Sequence, residues 1–256
     1  GGALFDRYPK GMLATPLGEI VSRRAQVILE EYDALEREAR RITTGEMGQV
    51  RVGAVTGPAV GLIVPAVRRV KAAAPDIEMT IEVGPSTELV RGLVEGRFDF
   101  VISRLPAEHD SRDFRLYPAR SEIVSLLVRP AHPLAGRTEV TLEELQGYEW
   151  VVQEIGSPIR QAVERAFHEQ GLGGPQRITN SSSLLVVLSL LEGTDTIAPQ
   201  AMEVAQMLTV GQTALGITSL NLAEPISVPP CFIIRNRFRP LPAASERVLQ
   251  AVLELL

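Results

Sequence analysis

Short apolar runs alternate with amphipathic segments between residues 50 and 103, and this alternation limits the fold more than any other feature of the chain. Runs with a period of two predict strands, whereas apolar residues spaced three and four apart predict helices. We therefore predict strands at 50–55 (VRVGAV), 79–83 and 98–103 (FDFVIS), and helices at 61–74 and 86–95. A βαβαβ series requires a mainly parallel sheet with helices on its faces.

A second unit of similar kind follows the first. We expect strands at 123–129, 150–153 and 196–198, helices at 159–170 and 183–191, and a tail with a strand at 231–235 and a helix at 243–255. Because the first unit has only about 75 residues of its own, the tail should return to it and complete its sheet. The prediction is two α/β lobes, with lobe I at 45–122 and 227–256 and lobe II at 123–226.

The segment at 16–44 has a heptad pattern. Its apolar residues recur at spacings of four and three and form an a/d seam: Val21, Ala25, Ile28, Tyr32, Leu35, Ala39 and Ile42. Charged residues occupy the other positions, so we predict one long helix of about 40 Å. Either the seam packs on its own domain or it pairs with a second subunit, and pairing as a homodimer or homotetramer is the preferred interpretation.

Composition excludes several classes of protein. The longest apolar stretch, at 184–191, is far shorter than the roughly 20 residues of a membrane span, and no export or lipidation signal is evident, so a cytoplasmic protein without membrane contact is expected. With one cysteine, Cys231, and 3 scattered histidines, the sequence argues against a metal site, and no cofactor motif is present. The net charge of −5 indicates that most of the chain does not bind DNA.

Three short strings, in this order and around a heptad helix, resemble the LysR family of transcription regulators. They are residues 4–18 (LFDRYPKGMLATPLG), 45–53 (GEMGQVRVG) and 129–135 (RPAHPLA). Ala14 stands where the family usually has leucine, and residues 193–199 (GTDTIAP) depart from the family's glycine-rich turn and Leu-Pro. The resemblance implies two Rossmann-like lobes of the type II periplasmic-binding-protein kind, preceded by a long linker helix.

The resemblance also implies a winged helix-turn-helix, of which residues 1–15 would be the wing remnant. The chain does not begin with methionine, and we expect that an upstream DNA-reading part has been removed, through which the intact regulator binds DNA. Arg7 and Lys10 are the remaining candidates for DNA contacts, and they could equally be solvated wing charges.

Small polar residues follow several predicted strands in both units. In open α/β sheets ligands bind beyond the carboxyl ends of the strands, where helix N-termini present free N–H groups. The candidate effector-binding residues are Thr56, Gly57, Ser86, Thr87, Ser103 and Arg104 in lobe I, and Gln153, Gly156, Ser157, Pro158, Ser181, Ser182 and Pro199 in lobe II. The alternative is that serine and threonine merely cap helices.

A small anion, especially a carboxylate, fits such a cleft best, because hydroxyls, backbone N–H groups and helix dipoles would all favour it. Arg104 could act as a charged clamp for this small-molecule effector, or it could pair with Glu108 or Asp110. The family architecture implies that both lobes present these groups to one shared cleft.

Two rival functions share this architecture. A periplasmic solute-binding protein would lack a use for the heptad helix. An enzyme would need catalytic motifs, and we find neither a nucleophile elbow nor a phosphate loop. Glu143 and Glu144 are interpreted as acidic residues in a helix start after Thr141, and His132 as a structural residue in a turn. No catalytic residue is predicted.

Overall fold

The structure, a computed structural model, describes residues 1–8, 11–210 and 216–256. Its strands are β1 Phe5–Tyr8, β2 Gly11–Ala14, β3 Gly48–Ala54, β4 Ile77–Val83, β5 Phe100–Ser103, β6 Phe114–Pro118, β7 Glu122–Val128, β8 Glu149–Val152, β9 Arg177–Asn180, β10 Ala198–Ala201, β11 Thr218–Ser219, β12 Ile226–Val228 and β13 Phe232–Asn236. Its α-helices are α1 Pro16–Thr43, α2 Thr56–Pro58, α3 Val64–Ala73, α4 Ser86–Glu95, α5 Leu142–Leu145, α6 Pro158–Glu169, α7 Leu184–Leu191, α8 Met202–Thr209 and α9 Ala243–Leu253. A π-helical turn, Ala59–Ile63, joins α2 to α3, and a 3-10 turn spans Ser111–Asp113.

The first sheet has the strand order β4-β3-β5-β13-β6. Strands β4, β3 and β5 are parallel, and β13 lies antiparallel between β5 and β6. The tail therefore joins this sheet, and α9 packs on β3 and α3. Alternate residues of β3, including Val50 and Val52, are fully buried in the core that α3 and α9 cover. We call the part built on this sheet lobe I.

The second sheet is built around β7, which pairs antiparallel with β10 and with both β11 and β12. Strands β8 and β9 are parallel, and a single parallel bridge between Trp150 and Ile197 connects them to the segment leading into β10. Trp150 packs edge-on against Phe167 of α6, with ring centroids 5.8 Å apart, at the centre of the core. This part is lobe II.

Helix α1 begins and ends where its sequence predicts. The Thr15 side chain accepts a hydrogen bond from the Gly18 backbone N–H at 3.0 Å, and proline occupies the first turn. After the helix, Gly45 has φ +68°, and a Cβ there would lie 2.6 Å from the Ala243 carbonyl oxygen, so only glycine fits. The end of α1 thus rests on the start of α9, where Arg247 also donates to the Thr44 carbonyl at 2.9 Å.

The seam of α1 is open along its whole length. All seven seam residues are exposed in the single chain; Ile28 and Leu35, for example, are 68% and 64% exposed. Soluble proteins rarely leave so long an apolar stripe in water. No helix in the described part of the chain could span a membrane.

The strand predicted at 196–198 is displaced in the structure. The observed strand β10 begins at Ala198 and runs antiparallel to β7, and Pro199 lies within it, opposite Leu126 in the register. The helix predicted from residue 61 begins at Thr56, because α2, the π-helical turn and α3 follow one another without interruption.

Candidate functional site

The carboxyl ends of the three parallel strands of lobe I meet at one edge of the sheet. Ser86 begins α4 after a two-residue connection from β4, and its Oγ accepts a hydrogen bond from the Arg104 backbone N–H at 3.2 Å. Ser103 is buried at the end of β5, and Thr87 is exposed in the first turn of α4. Four of the predicted residues therefore lie together beside the free N–H groups of α4.

Lobe II has an equivalent edge. The Arg160 guanidinium donates to Asn180 Oδ1 at 2.8 Å and to the Gln153 carbonyl at 3.3 Å, so it holds the loops after β8 and β9 together. Ser157 donates from its hydroxyl to Gln153 Oε1, and the Ser181 N–H donates to the Val152 carbonyl at 2.8 Å. These loops lead into α6 and α7.

The other predicted residues of lobe II differ in position. Gly156 is exposed with φ +90°, Pro158 occupies the first turn of α6, and Ser182 is exposed just before α7. Pro199 is different, because it is buried inside β10 and does not belong to a loop at the strand ends. Its assignment as a loop residue after a strand was wrong, because the strand begins later than the sequence pattern indicated.

Arg104 is already paired where the two lobes meet. Its guanidinium forms an ion pair with Glu122, at the start of β7, and its Nε donates to the Pro229 carbonyl at 2.9 Å. The side chains of Arg104 and Glu122 are 17% and 6% exposed. Among the described residues, Arg104 forms an ion pair with neither Glu108 nor Asp110, the two partners considered from the sequence. Asp110 pairs with the neighbouring Arg112. The chain passes between the two sheets twice, once into β7 and once into β13. Arg104 therefore contacts both connecting segments, through Glu122 and Pro229.

Glu122 also contacts the start of the first helical run. A Cβ on Gly57 would overlap the Glu122 carboxylate and come within 3.0 Å of Ala201 Cβ, so the absence of a side chain at Gly57 allows the two lobes to approach. The thiol of Cys231 lies 3.6 Å from Glu122 Oε2. Burial, followed by the charge of Glu122, raises the pKa of the Cys231 thiol from 9.0 to about 12, which keeps it protonated.

A second carboxylate lies near this contact. Glu203, in the first turn of α8, packs against Gly61 of the π-helical turn, and its buried Oε2 has no hydrogen-bond partner among the described residues. Sequence reasoning missed Glu122, Cys231 and Glu203. An acidic residue at the head of the apolar run 122–128 (EIVSLLV) was the signal that could have identified the first of them.

Arg7 and the helix start after Thr141 belong to other parts of the fold. Arg7 is exposed in the β1–β2 hairpin, opposite Met12, and Lys10 lies outside the described residues. The helix start after Thr141 is a capping box, in which Glu144 accepts from the Thr141 backbone N–H at 2.9 Å, as its acidic composition predicted.

His132 is buried in a turn of lobe II. Its Nδ1 accepts a hydrogen bond from the Leu134 N–H at 3.1 Å, and its ring packs on Tyr148 with centroids 4.6 Å apart. Burial lowers the pKa of His132 below 6.5, which keeps the imidazole neutral at pH 7. These contacts agree with a structural interpretation of this residue.

The chain has two α/β lobes with polar residues at the strand ends and a paired arginine between them, and a long exposed helix precedes the lobes in sequence. This arrangement is a type II periplasmic-binding-protein fold used for ligand sensing. The chain matches the LysR substrate binding domain over residues 43–256, and it belongs to the LysR family of ligand-sensing transcription regulators. This membership does not favour the alternative of a periplasmic solute-binding protein.

Relatives and solved structures agree with this assignment. The HTH-type transcriptional regulator GbpR of Rhizobium radiobacter is 36% identical over 243 residues, which cover 94% of this chain and 77% of GbpR. The LysR regulator CbnR, also solved with its target DNA, superposes with a TM-score of 0.78 at 19% identity, covering 97% of this chain and 84% of CbnR. The regulatory domain of Synechocystis PCC6803 CcmR, solved in complex with 2-PG, gives a TM-score of 0.67 at 19% identity over 82% of this chain and 97% of that domain. Regulators of this family bind DNA and small-molecule effectors and act as oligomers.

Proposed function

We propose that this chain senses a small metabolite in the cleft between its two lobes, at the carboxyl ends of β4 and β5 in lobe I and of β8 and β9 in lobe II. The observation that carries the proposal is the gathering of hydroxyl and backbone N–H groups at both edges, around Ser86 and Ser103 in lobe I and around Ser157 and Ser181 in lobe II. Several of these groups lie at the starts of helices of eight residues or more, where N–H groups have no partner within the helix. The effector would bind there without a metal or a cofactor, and the chain would act by binding and not by catalysis.

We propose a carboxylate as the chemical class of the effector, recognised mainly by neutral donors. Arg104 cannot serve as an unpaired clamp, because Glu122 already compensates its charge. Helix N-termini and hydroxyls favour an anion without any cationic side chain. The complex of the Synechocystis regulatory domain with 2-PG supports a small ligand in a domain of this fold.

The exposed seam of α1 would pair two subunits. Its seven apolar residues have no cover within the described chain, and a second copy of the same seam would bury them. The segment limits predicted above, with a wing at 1–15, a linker helix at 16–44 and two lobes, fit this arrangement. DNA would be read in the cytoplasm by a winged helix-turn-helix of the intact regulator.

The switch would operate through the lobes. A ligand that binds both edges favours a closed arrangement over an open one, and this differential affinity would change how paired subunits meet. The ion pair of Arg104 with Glu122 would act as a hinge contact in such a movement, since Arg104 contacts both segments that connect the lobes.

A thermal-shift screen tests the site and the ligand class together. Small carboxylic acids are compared with their neutral amides, on the unchanged chain and on Ser157→Trp, which places a bulky ring at the start of α6. We expect an acid to raise the melting temperature, its amide to have little effect, and Ser157→Trp to remove the shift. Stabilisation by neutral hydroxyl-rich compounds alone would contradict the carboxylate class, and a shift that survives Ser157→Trp would contradict the cleft.

A further inference from the structure

A cavity of about 200 Å³ lies in lobe I at the edge of the sheet opposite the cleft. It is bounded by the end of α4, by the first half of β3 and by the loop between β13 and α9. The carboxyl ends of β3 and β5 point the other way, so this space shares no residue with the predicted effector site. Nothing in the proposed function requires it.

The charges of the side chains that line the cavity do not sum to zero. Arg51, Arg239 and Asp99 are its ionisable lining residues, and they leave a single positive charge. Asp99 Oδ2 already accepts hydrogen bonds from the Arg51 backbone N–H at 2.8 Å and from the buried Ser245 hydroxyl at 2.9 Å. Within the described residues, neither the Arg51 nor the Arg239 guanidinium has a carboxylate within 4.0 Å.

Arg239 is held at the cavity by the local backbone. Asn236 Oδ1 accepts from the backbone N–H groups of Phe238 at 2.9 Å and of Arg239 at 3.1 Å, which fixes the turn after β13. The guanidinium then packs directly on Gly96, which ends α4 with φ +80° and has no side chain to exclude it. A side chain at Gly96 would displace Arg239 from the cavity.

The rest of the lining is mainly apolar, with Leu93, Phe98, Pro240, Leu241 and Pro242 beside Asn236. Leu93 and Phe98 are almost completely buried, at 1% and 4% exposure, whereas Leu241 in the β13–α9 loop is partly exposed. The cavity is smaller than the roughly 300–1,000 Å³ of sites for drug-sized ligands. The size and the net positive charge of the cavity therefore favour a small monoanion, whose apolar part would lie on the side of Leu241 and Pro242.

We propose that this cavity is a second binding site, distinct from the cleft, for a small monocarboxylate with a short apolar chain. The carboxylate would accept hydrogen bonds from Arg239 and Arg51, since a guanidinium fork matches the two oxygens of a carboxylate. Pro242 lines the cavity and directly precedes α9, on whose first residue Gly45 packs. A ligand in the cavity would thus contact the segment that supports the end of α1.

Calorimetric titration with pentanoate tests the proposal, with pentanamide as the uncharged analogue. The Ser157→Trp chain is titrated first, so that binding at the cleft does not contribute. We expect one pentanoate per chain, at least tenfold weaker binding of pentanamide, and at least tenfold loss of pentanoate affinity in both Arg239→Ala and Arg51→Gln. The matched control is Arg112→Ala, which removes an exposed arginine outside the cavity and should leave the affinity unchanged.

Each other outcome overturns the proposal. Absence of pentanoate binding, equal binding of pentanamide, or equal affinity in Arg239→Ala and Arg112→Ala would each do so. If pentanoate binds the unchanged chain but not Ser157→Trp, the ligand occupies the cleft, and the second site is refuted while the proposed sensing cleft stands. Circular dichroism of Arg51→Gln and Arg239→Ala checks that each chain is folded.

Discussion

The ion pair of Arg104 with Glu122 offers a sharp test of how the two lobes are joined, through the substitution Glu122→Ala. Both side chains are largely removed from water, at 17% and 6% exposure, so the substitution leaves a buried guanidinium without a counter-charge. Breaking a buried pair in this way costs about 3–5 kcal/mol of unfolding free energy. Since a loss of 1 kcal/mol lowers the melting temperature by about 2–4 °C in a chain of roughly this size, the decrease should be on the order of 10 °C.

Urea denaturation followed by circular dichroism measures this loss against two further variants. Arg69→Ala breaks the pair of Arg69 with Glu254, whose side chains are 61% and 41% exposed, and it should cost less than about 1 kcal/mol. The double variant Arg104→Met/Glu122→Leu removes both charges and should recover most of the stability lost in Glu122→Ala. A cost for Glu122→Ala no larger than that of Arg69→Ala would refute the reasoning.

Three further predictions concern the seam, the thiol and the buried histidine. Ile28→Lys/Leu35→Lys should convert dimers to monomers in light scattering, because like charges would face each other across the seam; an unchanged mass would count against it. Cys231 should react with a thiol reagent at pH 8 about a thousandfold more slowly than a free cysteine, because a pKa of about 12 leaves very little thiolate at that pH. Rapid reaction in the folded chain would contradict the burial of this thiol. Because burial lowers the pKa of His132, the unfolded chain binds more protons than the folded chain just below pH 6.5. The free energy of unfolding should therefore fall as the pH drops through that range, and His132→Asn should make it depend less on pH. Identical pH dependence in the two chains would contradict the lowered pKa of His132.

The local parts of the fold could be predicted because their signals lie within short windows. Helix α4 begins and ends at the predicted residues, because all its signals lie close together in sequence. The ten helical residues supply a polar start and an apolar face, and Gly96 ends the helix in the left-handed conformation. Helix α1 could be predicted for the same reason, since its heptad pattern and the glycine that follows it are local signals. Helix α8 was not predicted, although three of its eight residues, Val204, Ala205 and Leu208, are buried in the core. The short strands β11 and β12 have too few residues to show a period.

The candidate site could be predicted only in part, because its decisive contacts join distant residues. Sequence spacing offered Glu108 and Asp110 as partners for Arg104, whereas the fold brings it Glu122 from the second sheet. Position 57 requires glycine because Glu122 and Ala201 of lobe II come close to its backbone. No pattern in the neighbouring sequence indicates this requirement. Pro199 looked like a loop residue, yet proline is tolerated in β10, where it lies buried beside β7.

The central claim is that a small molecule binds between the lobes, and calorimetric titration with the acid that gives the largest thermal shift tests it most directly. Ser157→Trp obstructs the lobe II edge of the cleft, and Ser111→Trp adds the same ring at an exposed turn away from the cleft. We predict one binding site per chain, an affinity unchanged in Ser111→Trp, and a loss of at least tenfold in Ser157→Trp. Equal affinity in all three chains would contradict the claim that the cleft is the sensing site.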